Sequence, residues 1–202
     1  ILIFLFYILK MKVIQLHQEE KQLIMLAVEN NRQAQQQIYA KFSSKMLSVC
    51  RQYIKDIHHA EDVMITGFMK VFTNLKNFEH KGSFEGWIRR IMVYECIDFL
   101  RVKKNNFNHQ DIEDVTVSEN ESVYEMEDFS VDDIQNMIDN LPDGYKMVFN
   151  LYAIEGYKHQ EIAEMLKISE GTSKSQLSHA RKLLQLQITE LKKKLNDIAT
   201  LR

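Results

Sequence analysis

Residues 159–184, HQEIAEMLKISEGTSKSQLSHARKLL, are the stretch whose reading decides the fold. Ile162, Ala163 and Leu166 line one side of a short helix, and the small Ala163 lets the next element approach closely. Ile168 fills the turn, and Ser169 can accept a backbone N–H bond at the start of the following helix. In that helix Leu177, Ala180 and Leu184, at steps of three and four, face inward. The opposite face then presents Thr172, Ser175, Gln176, His179 and Lys182, flanked by Lys174 and Arg181. Short hydroxyls allow close approach to DNA, an amide can pair with adenine, and cations suit phosphate and guanine. A short helix, a tight turn and a longer basic helix together predict a helix-turn-helix.

Upstream of this motif, Val131 to Asn140 reads as a short helix. Leu141-Pro142-Asp143 punctuates, because Pro suits the first turn of a new helix. That helix is expected to run through Met147, Val148, Leu151, Tyr152 and Ile154 to a C-terminal cap at Gly156. Nearer the amino terminus, apolar residues from Gln18 to Ile54 fall at helical intervals in two helices broken near Glu29-Asn30-Asn31. A third helix spans about His59 to Leu75, and a fourth begins near Ser83, which can cap it, and carries Phe84, Trp87, Ile88, Ile91, Ile97 and Leu100. With one Pro and six Gly in 202 residues, helix breakers are scarce. The expected fold is all-α: two small helical bundles joined by a flexible acidic linker, the C-terminal one a helix-turn-helix domain.

Charge is segregated along the chain. Residues 1–104 hold 16 Lys and Arg against 10 Asp and Glu, whereas residues 105–130 hold no base and 8 acids. From Met165 onward there are 8 bases against 3 acids. Two basic surfaces separated by an acidic strap point to a protein that touches nucleic acid at two places. The opening ILIFLFYIL is too short to span a bilayer, and Met11 reads as a natural start with residues 1–10 outside the fold. Residues 1–17 are accordingly set apart as an N-terminal extension.

Cys50 and Cys96 are isolated, with no ligand spacing around them, so neither zinc nor any other metal is expected, and two thiols fit a reducing cytoplasm. No P-loop, nucleophile elbow or paired carboxylates indicate an enzyme, and no cofactor or small-molecule substrate is expected. Phe78, His80, Lys81, Ser83, Phe84 and Trp87 combine rings, cations and hydrogen-bonding groups in and beside a Gly-containing loop. Rings there can stack on unpaired bases while Arg89, Arg90, Arg101, Lys103 and Lys104 neutralise phosphates. A helix-turn-helix alone leaves many kinds of transcription regulator open.

Taken from Gly156 to Leu184, GYKHQEIAEMLKISEGTSKSQLSHARKLL resembles the −35 promoter-reading domain of extracytoplasmic-function sigma factors, a subfamily of the sigma-70 family. LPDGYKMVFNLY, residues 141–152, resembles the helix leading into it. HAEDVMITGFMKVFTNLKNF, residues 59–78, is similar to the sigma helix that docks on the polymerase clamp. KGSFEGWIRRIMVYECIDFLR, residues 81–101, is similar to the element that reads and melts the −10 sequence. The likeness covers roughly residues 20–190.

The resemblance implies a region 2 domain over residues 18–104, an acidic linker over 105–130 and a region 4 domain over 131–202. It implies −35 contacts from Thr172, Ser173, Lys174, Ser175, Gln176, His179, Arg181 and Lys182. Contacts to the −10 element fall to Phe78, His80, Lys81, Ser83, Phe84, Trp87, Arg89, Arg90, Tyr94 and Arg101. Polymerase docking falls to Asp62, Met69, Lys70, Phe72, Asn74 and Leu75. Implied partners are core RNA polymerase, through the clamp of its largest subunit and the flap of the second largest, promoter DNA, and the anti-sigma protein that the family commonly has. Departures from the family pattern are Ile65, Thr66 and Gly67 in the clamp helix, Tyr94 where Asn is usual, and Gln176 and His179 where Arg is usual. Lys158 stands in place of a capping hydroxyl and Lys167 in place of the turn Gly, each at a local cost of about 1 kcal/mol.

Overall fold

The computed structural model describes residues 18–106 and 129–200, with the side chains of 103–106 and 195–200 outside the description. The N-terminal extension, most of the acidic segment and the side chains of Lys103 and Lys104 therefore lie outside the described residues. The described elements are all helical: α1 (18–28), α2 (Arg32–Tyr53), α3 (Ile57–Asn74), a 3-10 turn (Leu75–Asn77), α4 (Phe84–Asn106), α5 (Val131–Asp139), α6 (Asp143–Phe149), a π-helical turn (Asn150–Ile154), α7 (His159–Leu166) and α8 (Glu170–Thr200). The chain divides into two compact units, residues 1–50 with 56–95, and residues 51–55 with 96–202.

In the first unit the break between α1 and α2 falls at Asn30, whose φ of 62° is one Asn tolerates better than most residues. Ile38, Phe42, Met46 and Val49 then bury one stripe of α2 at steps of four, four and three. Helix α3 starts earlier than its apolar pattern shows, because the Asp56 carboxylate accepts the His59 N–H at 2.9 Å and caps it. Ala60, Val63, Met64, Phe68 and Val71 are its buried face. At Gly67 a Cβ would overlap Met92 Sδ, so this Gly, costly to helix propensity, permits the close approach of α3 and α4. Ser83 caps α4 as expected, its hydroxyl accepting the Gly86 N–H at 3.1 Å.

In the second unit, residues 51–55 are held by polar groups. Arg51 forks onto both oxygens of Asp139 at 2.9 and 2.6 Å, and Asn150 Nδ2 donates to the Gln52 carbonyl at 2.8 Å. Lys146 is buried beside Asp143, Asp139, Arg51 and Lys55, and burial holds its ammonium below the usual lysine range. Helix α5 opens with a reciprocal capping box between Ser130 and Asp133. The helix expected to run unbroken from Pro142 to Gly156 instead stops being α-helical at Phe149. Residues 150–154 widen into a π turn closed by the Glu155 N–H on the Asn150 carbonyl at 3.0 Å, and Gly156 follows at φ 77°.

The two helices of the motif pack through Ile162 and Met165 of α7 and Ser173, Leu177 and Ala180 of α8, all buried, while Ala163, Leu166 and Leu184 are half-buried. Ser169 caps α8 by accepting the Thr172 N–H at 2.9 Å, and Glu161 accepts the Lys158 N–H at 2.8 Å at the start of α7. Lys167 ends α7 at φ 56°, a left-handed conformation that suits Gly. Ser173 is wholly buried, its hydroxyl 2.9 Å from His159 Nδ1.

Three stability measurements follow. Lys167→Gly, which removes the left-handed penalty, stabilises the protein by about 1 kcal/mol in urea unfolding. Lys146→Met raises stability at pH 7 by about 1 kcal/mol. Between the lowered folded pKa of Lys146 and its ordinary unfolded value the unfolded chain binds more protons, so this penalty is fully present below the folded pKa and shrinks as pH climbs through it. Ser173→Ala lowers stability by about 1 kcal/mol in the same measurement; unaltered stability would show that its hydroxyl does not hold the core together.

Candidate nucleic-acid interfaces

Helix α8 offers its outward face only after its inner stripe is satisfied. With Ser173, Leu177 and Ala180 buried, the residues left in solvent between 171 and 182 are Gly171, Lys174, Ser175, Ser178 and Arg181. Thr172, Gln176, His179 and Lys182 are half-buried. Gln176 and His179 lean towards α6: the Gln176 amide nitrogen lies 3.3 Å from where a Cβ at Gly144 would sit, and the His179 ring stacks on Tyr145 at 5.4 Å. Ser173 does not share this outward face, because its hydroxyl is spent on His159 in the core. Ser178 does face outward and was not among the expected residues. Its signal was available: three positions after Ser175 and three before Arg181, it shares their side of the helix.

The cations on this face are held differently. Lys174 pairs with Glu170 at 2.6 Å one turn back, and that pairing keeps the Glu170 carboxyl below its usual range. Arg181 has no carboxylate partner among the described residues; its guanidinium lies over the Tyr152 ring at 5.7 Å. Such charges strengthen DNA binding through phosphate, whereas the hydroxyls and amide offer base-edge contacts.

In the first unit, the aromatic cluster around the Gly82 loop is divided between core and surface. Phe84 is 2% exposed and Phe78 8%. Phe78 packs on Phe84 and Trp87 at 5.1 and 5.5 Å, and Phe42 meets Phe84 edge-on. Neither Phe can stack on a base without leaving the core, so both are corrected to structural residues. Trp87 is half-buried, stacked on Phe84 at 5.9 Å. His80, at φ 56°, and Lys81, paired with Glu79, are exposed in the loop before α4. Further along α4, Arg90 lies over the ring of the exposed Tyr94 at 5.9 Å, and Arg89 is half-buried. Arg101, in the second unit, bonds Asp98 and donates to the Met165 carbonyl at 3.2 Å, which leaves it less free for phosphate than its charge suggests.

Helix α3 carries the remaining candidates. Asp62, Met69, Lys70 and Asn74 are exposed, Phe72 is half-buried, and Met69 is 66% exposed. Ile65, one turn before Met69, is also in solvent and makes an apolar pair with it. Lys70 binds Glu95 of α4, and the Asn74 amide donates to the Lys70 carbonyl at 2.9 Å. Leu75 is corrected: at 1% exposure it anchors the 3-10 turn in the core and presents nothing to a partner. Among the described residues no His, Cys, Asp and Glu are grouped so as to hold a metal ion, and no helix is long and apolar enough to cross a membrane.

Comparison with known proteins identifies the family. Residues 38–106 match the family model for sigma-70 region 2, and residues 131–184 match that for sigma-70 region 4. The extracytoplasmic-function (ECF) RNA polymerase sigma factor SigW of Bacillus subtilis is 29% identical over 163 residues, 74% of this chain and 86% of the relative. The ECF sigma-E factor of Haemophilus influenzae is 24% identical over 76% of this chain and 87% of its own length. Among solved structures, the sigma factor RpoE in complex with the anti-sigma factor NepR from Bartonella quintana shares the fold, with a TM-score of 0.50 and 18% identity over 76% of this chain and 96% of that one. Sigma factors are transcription factors and not enzymes, and this chain belongs to the extracytoplasmic-function subfamily of the sigma-70 family.

Proposed function

We propose that this chain binds core RNA polymerase, carries it to promoters with −35 and −10 elements, and promotes DNA opening. In this reading residues 18–104 form the module that docks on polymerase and melts the −10 element, 105–130 the acidic linker and 131–202 the −35 module. The observation that carries it is the presence in one chain of two differently built surfaces. A hydroxyl-rich, cationic helix face suits duplex DNA, and a half-exposed Trp ring beside arginines suits unpaired bases.

The −35 face comprises Thr172, Lys174, Ser175, Gln176, Ser178, His179, Arg181 and Lys182. Gln176 and His179 reach DNA from the side of α6, so their stacking and packing partners restrict which base edges they meet. On the −10 side, Trp87 stacks on an unpaired base while His80, Lys81, Arg89 and Arg90 neutralise phosphate, with Ser83 and Arg101 as further contacts. Tyr94, held by Arg90, takes the place of an amide and offers a ring and one hydroxyl. Polymerase docks along α3 through Asp62, Ile65, Met69, Lys70, Phe72 and Asn74, where apolar side chains stand in solvent among polar ones.

The partners are therefore the clamp and flap of the polymerase and promoter DNA. An anti-sigma protein completes the set, a reading supported by the shared fold with a sigma factor whose solved complex contains one. A cytoplasmic site of action is supported by two buried, free cysteines, which suit a reducing compartment.

The test is run-off transcription from a promoter library with purified core polymerase. Transcripts are expected only when chain and core are both present, with enriched sequences spaced as −35 and −10 elements. Trp87→Ala is expected to lower open-complex formation about tenfold, the worth of one stacked base. A chain that fails to bind core, yet binds duplex DNA tightly alone, overturns the proposal.

A further inference from the structure

Arg181 stands at the exposed end of a chain of contacts that begins in the core. Ser173, wholly buried in α8, bonds His159 Nδ1 at 2.9 Å. The His159 ring stacks on Tyr152 at 4.6 Å and 21°, and the Tyr152 ring lies beneath the Arg181 guanidinium at 5.7 Å. Three elements meet here: the first turn of α7, the middle of α8, and the π turn of residues 150–154. The π turn matters because its i to i+5 bond widens the backbone and changes the direction in which Tyr152 leaves it. Tyr152 is 37% exposed, so its ring is not needed to fill a core.

The guanidinium is flexible and well solvated when unheld, and ordering it costs conformational entropy whenever it binds phosphate. A ring attracts the guanidinium without neutralising it, whereas a carboxylate would cancel its charge, as Glu170 does for Lys174 on the same face. A ring locked from behind by a histidine that is itself locked by a buried hydroxyl keeps the cation both charged and ordered.

We infer that Tyr152, backed by His159, is a positioning residue that pre-orders Arg181 for a phosphate of the −35 duplex. This rests on the proposed −35 reading by α8, and it adds a determinant that lies outside the recognition helix. Arg181 makes the DNA contact; Tyr152 acts through it.

The experiment is a double-mutant cycle on the full chain bound to core polymerase, with binding to a promoter fragment measured across a salt series. Arg181→Ala is expected to weaken binding severalfold and to reduce the slope of log affinity against log salt by about 0.9, the loss of one phosphate contact. Tyr152→Ala is expected to weaken binding two- to fivefold, Tyr152→Phe to recover it, and the double variant to bind no worse than Arg181→Ala alone. Additive losses, or a Tyr152→Ala chain that binds as tightly as the unaltered one, overturn the positioning role. An Arg181→Ala chain with unchanged affinity and salt slope instead removes the phosphate contact on which the inference stands. Tyr152→Ala and Tyr152→Phe are also compared by thermal unfolding. A binding loss that follows lost stability and is equal in the presence and absence of Arg181 overturns the inference as well.

Discussion

The rotation of α8 about its own axis is set by three side chains, Ser173, Leu177 and Ala180, spaced four and three apart and buried against the rest of the second unit. Rotation by one residue would turn the helix about 100° and bring charged side chains into the space those three occupy. Two of the three, Ser173 and Ala180, are small, which lets the neighbouring elements approach, and the Ser173 hydroxyl is satisfied by His159. Everything attributed to the outward face depends on that setting. Lys174, Ser175, Ser178 and Arg181 are exposed because Ser173, Leu177 and Ala180 are not.

The same logic of satisfied burial governs the first unit. Phe78, Phe84 and Trp87 form one aromatic cluster, but only Trp87 keeps a surface for a ligand, because the two phenylalanines fill the space between the Gly82 loop and α2. On α3, polar side chains bond back onto their own helix: Thr66 to Asp62, Thr73 to Met69 and Asn74 to Lys70. That leaves Ile65 and Met69 as the prominent unsatisfied surface, since apolar groups have no such local outlet.

Departures from the family pattern acquire physical meaning in this setting. Gly67 weakens α3 locally, yet it permits contact with Met92. Lys167 adopts the left-handed conformation without the freedom of Gly, a strain that the surrounding helices must offset. His179, in place of the usual Arg, stacks on Tyr145, so the change trades a free cation for a ring partly committed to its own domain.

Element order and type were legible in the chain alone, because 3.6-residue periodicity and local capping are short-range properties. Ser83 and Ser169 cap where their positions suggested, and the break near Asn30 falls where apolar periodicity lapses. The motif and its order likewise sufficed to indicate the family. Which members of the site residues reach solvent was decided by tertiary packing. Phe78, Phe84, Leu75 and Ser173 have the chemistry of contact residues but were taken up by the core, a result set by residues far away in sequence. The π turn at 150–154, and with it the seat of Tyr152 beneath Arg181, could not be read from periodicity, because one widened turn depends on how Asn150 is buried and bonded to the Gln52 carbonyl. A sequence specifies side-chain chemistry and local geometry; only long-range packing selects which of those side chains is left for a partner.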